Sequence, residues 1–510
     1  MALLKYTASI DNTITNTYKS DLETRATGSN MGKSDVLETF SIFGRINSSS
    51  QELSRTLIQF PTSKITSDRA AGTIPASGSV SFYLKVFNAQ HSRTVPVDYK
   101  LVVSAVSQSW EEGVGLDMNG YRDVNDNNIG SDWIQAKKGT NWVKDGVANP
   151  GGTYSTASGE TYTTSFSSGF EDLEVDISHL VEKWIAGTTT AGGNYGVGIM
   201  LSSSYEASAS QEAVSLDSNV VYNPAGATTS YYTKRFFARG TQYFFKKPVI
   251  EARWDSSTKD ERSSFYFSSS RAPAADNLST IYLYNTIRGR LVNLPNVGTG
   301  EVLVSLYSGS APNSSPSGSK LALYDGNTNL TGGYVSTGIY SCSVGIVSST
   351  VSPLYDVWHS AGTEYFTGSI TPKVFSQGMT SQNPRFYINL TNLKNSYYRK
   401  ETTRLNLFVR DKNWKPNSYT MAQSAYPSLS IPSASYSVVR LIDDTTVVPY
   451  GTGSDRHTAL SHDVSGNYFN FDMSLLQPGY AYGFKFSFYD GTIKSWLEQD
   501  SIFRFWIEER

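Results

Sequence analysis

Tyr480-Ala481-Tyr482-Gly483-Phe484-Lys485-Phe486-Ser487-Phe488 is the stretch on which the fold class turns. Tyr480, Tyr482, Phe484, Phe486 and Phe488 fall on one side of an extended segment, and Ala481, Gly483, Lys485 and Ser487 fall on the other. Successive side chains of a strand point to opposite faces, so a period of two describes a half-buried antiparallel strand. The pattern returns in Val97, Tyr99, Leu101, Val103 and Ala105, in Leu173, Val175 and Ile177, and in Val302, Val304 and Leu306. Almost nothing repeats with the period of a helix. The expected fold class is all-β, as three tandem antiparallel β-sandwiches.

The chain has 510 residues, too many for one hydrophobic core. Two polar breaks divide it. The first follows Trp254, where a polar run from Asp255 to Ser264 leads through Phe265-Tyr266-Phe267 to a second polar run ending at Asp276. The other covers residues 376–384. The expected units are 1–255, 276–376 and 381–510.

The formal net charge is −2 and only 17% of residues are charged, so no bulk attraction to nucleic acid or to anionic membranes is implied. Cys342 is the only cysteine, which excludes an intrachain disulfide and a thiolate metal cluster. Stability therefore has to come from packing, and 13% of residues are aromatic. Met1-Ala2-Leu3-Leu4-Lys5 does not open a long apolar core of the signal-peptide kind, and no later stretch is long enough to span a bilayer. The expectation is a protein made in a reducing cytosol, without membrane insertion.

Several segments of the first unit follow one another in a characteristic order. They are Ile10-Asp-Asn-Thr-Ile14, Asn30-Met-Gly-Lys-Ser-Asp-Val-Leu37, Arg55-Thr-Leu-Ile-Gln-Phe60 and Ser109-Trp-Glu-Glu112. Val175-Asp-Ile-Ser-His-Leu-Val-Glu-Lys-Trp184, Asn194-Tyr-Gly196, Arg235-Phe-Phe-Ala-Arg239 and Lys247-Pro-Val-Ile-Glu-Ala252 complete them. The order resembles the DNRLRE-type jelly-roll domain, which is similar to carbohydrate-binding modules and occurs in cell-wall, surface and virion proteins. The resemblance covers about half the chain. Read without the family, Arg55 opens a run suited to a central strand buried on both sides. Asp176 or Ser178 can cap a helical turn that sets Leu180, Val181 and Trp184 on one face, and Asn194-Tyr-Gly is a turn signal.

In the middle unit, Tyr340-Ser341-Cys342 resembles an immunoglobulin-like strand in which a Tyr two residues before a Cys hydrogen-bonds across a corner. The partner Cys is absent, so Cys342 reads as a small buried hydrophobe. The last unit, with Phe386-Tyr-Ile-Asn-Leu390, Leu405-Asn-Leu-Phe-Val-Arg410 and Phe503-Arg-Phe-Trp-Ile507, is similar in style to C-terminal β-domains of virion proteins from marine and cyanobacterial tailed phages.

The residues offer few groupings suited to catalysis or metal binding. His457 and His462 stand near Asp455 and Asp463, yet no helix sets them on one face, and they read as turn residues. Glu111 and Glu112, with Asp117, follow Trp110, but adjacent strand residues face opposite ways and do not flank one sugar. Asp123-Val-Asn-Asp-Asn-Asn128 alternates oxygen ligands as a calcium loop does, but Asn128 stands where Gly belongs and Ile134 where Glu belongs. It reads as a polar insertion, with calcium binding left open. Lys234, Arg235, Arg239, Lys246, Lys247 and Arg253 interleave with aromatics in the manner of a single-strand nucleic-acid grip, against which strand alternation sets aromatics inward and cations outward. The latter is adopted.

No G-x-S-x-G elbow, phosphate loop or dinucleotide fingerprint occurs. The expectation is a non-enzymatic protein with no cofactor and no metal. Taken with the resemblances, it is a structural protein of a tailed-phage virion, located in the neck, tail, baseplate, fibre adaptor or head decoration and assembled in the host cytoplasm. Its partners would be other virion proteins and further copies of itself in a symmetric arrangement. The alternative is a carbohydrate-binding host-recognition module that takes a host-surface glycan on Trp110, Trp133 and Trp142, because sugar rings stack on exposed aromatic faces.

Overall fold

Strands built as the alternation requires fill the computed structural model, which describes residues 2–44, 50–90, 95–116, 129–269, 272–309, 317–323, 327, 329–347, 350–373, 385–414, 418 and 428–509. The chain is all-β, and its chain contacts divide it into two units, Ala2–Asp255 and Ser256–Arg510. The break expected at residues 376–384 lies outside the described residues.

In Ala2–Asp255 a four-stranded sheet runs in the order Leu3–Thr7, Val249–Arg253, Ser81–Val86, Leu173–Asp176. A seven-stranded sheet runs Thr161–Phe166, Tyr99–Ala105, Val197–Leu201, Glu52–Gln59, Val36–Ile42, Tyr231–Phe237, with Ile10–Thr15 also paired to Glu52–Gln59. The inner faces of both sheets share one core in which Phe82, Leu84, Leu101, Val103, Ile199 and Ile250 are completely buried. The strand Glu52–Gln59 shows why its sequence is almost continuously apolar. Ile58 faces this core, while Leu53 and Leu57 face a second cluster on the opposite side of the sheet. With both faces covered, the period of two disappears from the hydrophobicity although it persists in the geometry.

Val97 lies outside the strand it was expected to open, and is 55% exposed. The expected helical turn is a nine-residue helix, Ser178–Ala186, with Leu180, Val181 and Trp184 buried and Gly187 in the left-handed region at its end. Asp176 Oδ1 accepts from the Ser178 amide, and Ser178 Oγ accepts from the Phe82 amide. The two polar residues therefore fix the helix entry without a side-chain bond at the helix cap itself. At the Asn194-Tyr-Gly turn, Gly196 has φ +81 and a Cβ there would stand 2.1 Å from the Ile58 carbonyl oxygen, so glycine is required.

In Ser256–Arg510 the middle strands form one seven-stranded antiparallel sheet, in the order Ser279–Tyr284, Ile339–Val344, Leu330–Ser336, Val302–Gly309, Leu354–Ser360, Thr363–Ile370, with Ser317–Lys320 also paired to Val302–Gly309. Leu330–Ser336 pairs through Leu330, Thr331 and Gly332 with Val302–Gly309, and through its later residues with Ile339–Val344. Ser279–Tyr284 lies beside Ile339–Val344 at one end, and Leu354–Ser360 and Thr363–Ile370 continue the sheet beyond Val302–Gly309 at the other. One core holds Ile281, Val302, Leu306, Tyr340, Val344 and Trp358. Tyr340 Oη accepts from the Leu294 amide at 3.0 Å and donates to the Gly298 carbonyl, spanning a corner. Cys342 is buried, and burial pushes its thiol up to about 12.

The C-terminal strands form a four-stranded sheet (Phe386–Leu390, Thr402–Asp411, Gly466–Asp472, Ser461–Asp463) and a six-stranded one (Ser396–Tyr398, Phe503–Glu508, Ala481–Asp490, Ala434–Arg440, Thr445–Val448, with Ser495–Glu498 on Ala481–Asp490). Ser396–Tyr398 pairs in parallel with its neighbour and the other pairings are antiparallel. Tyr482, Phe484, Phe486 and Phe488 all point inward, while Tyr480, expected with them, precedes the strand and is half-buried. Phe484 stacks on Phe505 at 4.7 Å and meets Phe469 and Phe471 edge-on, so aromatic packing closes this layer.

Candidate functional site

The three tryptophans expected to carry a glycan are interior residues. Trp133 and Trp142 are fully buried and Trp110 is 5% exposed. They pack with Ile14, Leu53, Leu57 and Val106 on the outer face of the seven-stranded sheet. Each indole N–H is used internally: Trp110 donates to the Tyr195 carbonyl at 2.7 Å, Trp142 to Asp132 at 2.9 Å and Trp133 to Asn219 at 3.1 Å. They offer no stacking face to a sugar, and this assignment is corrected. The physical reason is the segment from Ser131 to Tyr154, which covers the sheet and needs large side chains beneath it to exclude water.

Arg55 forms the polar centre of that layer. It projects from Glu52–Gln59 on the same side as Leu53 and Leu57, and its Nε and Nη2 meet Glu206 Oε1 and Oε2 at 3.1 and 3.0 Å. Nη1 donates to the Gly151 carbonyl at 2.9 Å, and the guanidinium lies 5.4 Å from the Trp133 ring. Glu206 keeps the Arg55 charge in place against the burial that opposes it. Gly151, at φ +89, lets the chain pass over Trp133, whose Cη2 would stand 2.9 Å from a Cβ.

The basic and aromatic run is taken up internally as well. Lys234 is 1% exposed, and its Nζ donates to Asn88 Oδ1, Gly169 O and Glu171 O at 2.7, 2.8 and 2.8 Å, with the Phe166 and Phe236 rings at 5.0 and 5.1 Å. Burial pushes its ammonium down to about 8. Lys234 and Phe236 are two residues apart on one strand and share its buried face, so the expected division into inward aromatics and outward cations fails at this position. Arg235 pairs with Glu38, Arg239 with Glu112, and Arg253 with Glu251 and Glu174.

The carboxylates after Trp110 do not converge. Glu111 is exposed. Glu112 Oε1 accepts from the Asp11 amide at 3.1 Å and from Arg239 Nη2 at 2.7 Å. Asp117 and the loop Asp123 to Asn128 lie outside the described residues, as does His91. His179 is exposed. His457 Nδ1 lies 3.1 Å from Asp455 Oδ2. His462 is buried with neither ring nitrogen bonded, and burial pushes it down to about 4. Among the described residues no three acids, histidines or cysteines gather as a metal would need.

One constellation was invisible in the sequence. Ser305 Oγ lies 2.7 Å from His359 Nε2 and 2.7 Å from Asn329 Oδ1, and Lys320 Nζ lies 2.6 Å from that same amide oxygen. An amide oxygen only accepts, so the Ser305 proton goes to Asn329 and His359 Nε2–H donates to Ser305. In that tautomer the imidazole is no base for the hydroxyl, and Ser305 is itself fully buried. The arrangement is a structural chain of donors. Only the cross-strand register of Val302–Gly309 and Leu354–Ser360 brings it together. Two surface grooves are present, of about 390 Å³ beside Arg385, Phe386, Lys412, Glu498 and Asp500 and about 350 Å³ beside Leu4, Tyr6, Pro61 and Asp68, and in the second Tyr6 Oη donates to Asp68 Oδ2 at 2.9 Å.

Fold and site together define an all-β protein of stacked sheets whose described buried polar groups are largely engaged with one another. No protein-family model and no curated protein matches the chain. Among solved structures it is similar to a Salmonella alpha-2-macroglobulin reacted with methylamine, at 8% identity and a TM-score of 0.13 over 99% of this chain. The chain spans 34% of that protein's length, and a likeness at this level carries no argument about fold or function.

Proposed function

We propose that this protein is a non-enzymatic structural component of a tailed-phage virion, joined to other virion proteins and to further copies of itself through its surfaces. The observation that carries the reading is the commitment of several buried charged groups to internal bonds: Arg55 with Glu206, Lys234 with three oxygens, and Arg262 with Asp356. A chain that spends its polar chemistry on rigidity is suited to presenting surfaces. Tandem sheets with loop-bearing ends and open edge strands support heterologous contacts and strand addition. The order of segments in the first half and the style of the last strands point to the particle. Mass spectrometry of gradient-purified virions is expected to find its peptides at a stoichiometry of several copies per particle. Virions devoid of these peptides would refute the proposal.

A further inference from the structure

The chain has nine tryptophans. Trp110, Trp133, Trp142, Trp184, Trp254 and Trp358 are buried, and Trp414 and Trp496 are half-buried. Trp506 differs, being 45% exposed on an interior strand of the six-stranded C-terminal sheet. Its neighbours Phe505 and Ile507 point into the core at 3% and 0% exposure, so the indole stands on the outer face.

The surroundings of that indole are unlike a core. The residues opposite it on the two flanking strands are Ser396 and Ala481, both small, so neither covers the ring. Two residues away in each direction on the same face stand Arg504 and Glu508. Arg504 is exposed and forms no ion pair among the described residues. It lies opposite Gly483, over which Ile502, Leu441 and Val439 close, giving the shelf a wall on that side. Trp506 thus stands on the outer face between Arg504 and Glu508, with the half-buried Tyr398 opposite Glu508 on that face.

We infer that Trp506, with Arg504 and Glu508, forms a binding shelf for a neutral pyranose oligosaccharide. A sugar ring presents a face of C–H groups that packs on an indole, and its equatorial hydroxyls both donate and accept. Arg504 supplies donors and Glu508 supplies acceptors. The opposite charges give no preference for an ionic sugar. A protein partner fits less well, because a stable interface needs about 800 Å² from each side and a cluster of apolar anchors, whereas the exposed apolar groups on this line are Trp506 and Ile502. The inference is independent of the particle role proposed above and of the buried tryptophans of the first unit.

The test titrates the full chain with maltohexaose, cellohexaose, chitohexaose and mannohexaose, following tryptophan emission and saturation-transfer NMR. At least one sugar is expected to give a saturable response. Trp506→Ala should weaken it by about tenfold or more, Trp506→Tyr should retain part of it, and Arg504→Ala and Glu508→Ala should each weaken it several-fold. All four are surface changes, and an unchanged far-ultraviolet spectrum confirms the fold. Three results overturn the inference: no saturable response to any of the four sugars, a response that survives in Trp506→Ala, or a Trp506→Ala protein whose sedimentation shows loss of an oligomer, which would make the shelf a contact between copies.

Discussion

At the scale of single residues, Lys234 shows how a charge can be part of a core. Its ammonium occupies a place where three oxygens and two aromatic faces converge, and the carbonyls of Gly169 and Glu171 depend on it for hydrogen bonds. Lys234→Met keeps the length of the side chain and removes the donor. Each stranded buried acceptor costs about 1–3 kcal/mol, so the two carbonyls put the expected loss at about 2–6 kcal/mol in urea unfolding of the Ala2–Asp255 unit. The pH dependence provides a second check. Burial lowers the folded-state value to about 8 against 10.5 for the free side chain, so between those values the unfolded chain holds more protons. The stability of the native protein should therefore rise as pH increases from about 8 towards 10.5. Lys234→Met should lack this rise.

At the scale of elements, the polar run after Trp254 docks on a strand edge through an isolated bridge between Lys259 and His462. His462 donates its amide to the Thr258 carbonyl, Asp260 donates its amide to the His462 carbonyl, and the Thr258 amide donates to Ser461 Oγ. Further along, Phe265 is buried in the middle core, and its carbonyl accepts from the Lys373 amide. A sequence rich in Ser, Asp and Lys reads as a break because its side chains favour water, but its backbone still needs partners and finds them on a strand edge. Two buried titrating groups meet at this seam with opposite signs. Burial pushes His462 down to about 4, with Lys259 adding to the effect and Asp463 opposing it. Burial pushes Asp260 up to about 6, opposed by Arg262 and aided by Asp356 and Asp463. On acidification from 6.5 to 4 the unfolded histidine gains a proton that the folded one refuses, which costs stability. Over 6 to 3.8 the folded aspartate gains a proton before the unfolded one, which adds stability. The two slopes nearly cancel in the native protein. Asp260→Asn should expose the histidine slope, with stability falling steadily from pH 6.5 to 4, while His462→Leu should expose the reverse. Parallel profiles in both variants would contradict this account of the seam.

At the scale of the whole molecule, the two units are expected to unfold as separate cooperative bodies, each with its own core. Arg262 ties its segment to the middle sheet through Asp356 and the Tyr282 carbonyl, with Trp358 Nε1 donating to the same carboxylate. Arg262→Ala strands Asp356, and removing one partner of a buried pair costs about 3–5 kcal/mol. In scanning calorimetry that loss should lower the transition of Ser256–Arg510 alone and leave that of Ala2–Asp255 in place. A common shift of both transitions would contradict independent units. The sequence by itself determined the strand class and the inward set of each half-buried strand, since the alternation of Tyr482, Phe484 and Phe486 is a local property that any sheet pairing must respect. It also determined that Cys342 has no second cysteine to pair with in these 510 residues, that the Leu180, Val181 and Trp184 face is apolar, and that Asn194-Tyr-Gly turns. Only the tertiary structure decided which large side chains are buried and which are exposed. Trp110, Trp133 and Trp142 sit in polar-looking surroundings and are interior because the segment Ser131–Tyr154, which carries Trp133 and Trp142, packs on the distant strands of Ile14, Leu53 and Leu57, while Trp506 occupies an outward strand position between small residues. The same limit explains Lys234 and the Ser305–His359 contact: burial and register arise between segments far apart in the chain, and local periodicity carries no record of what lies across the sheet.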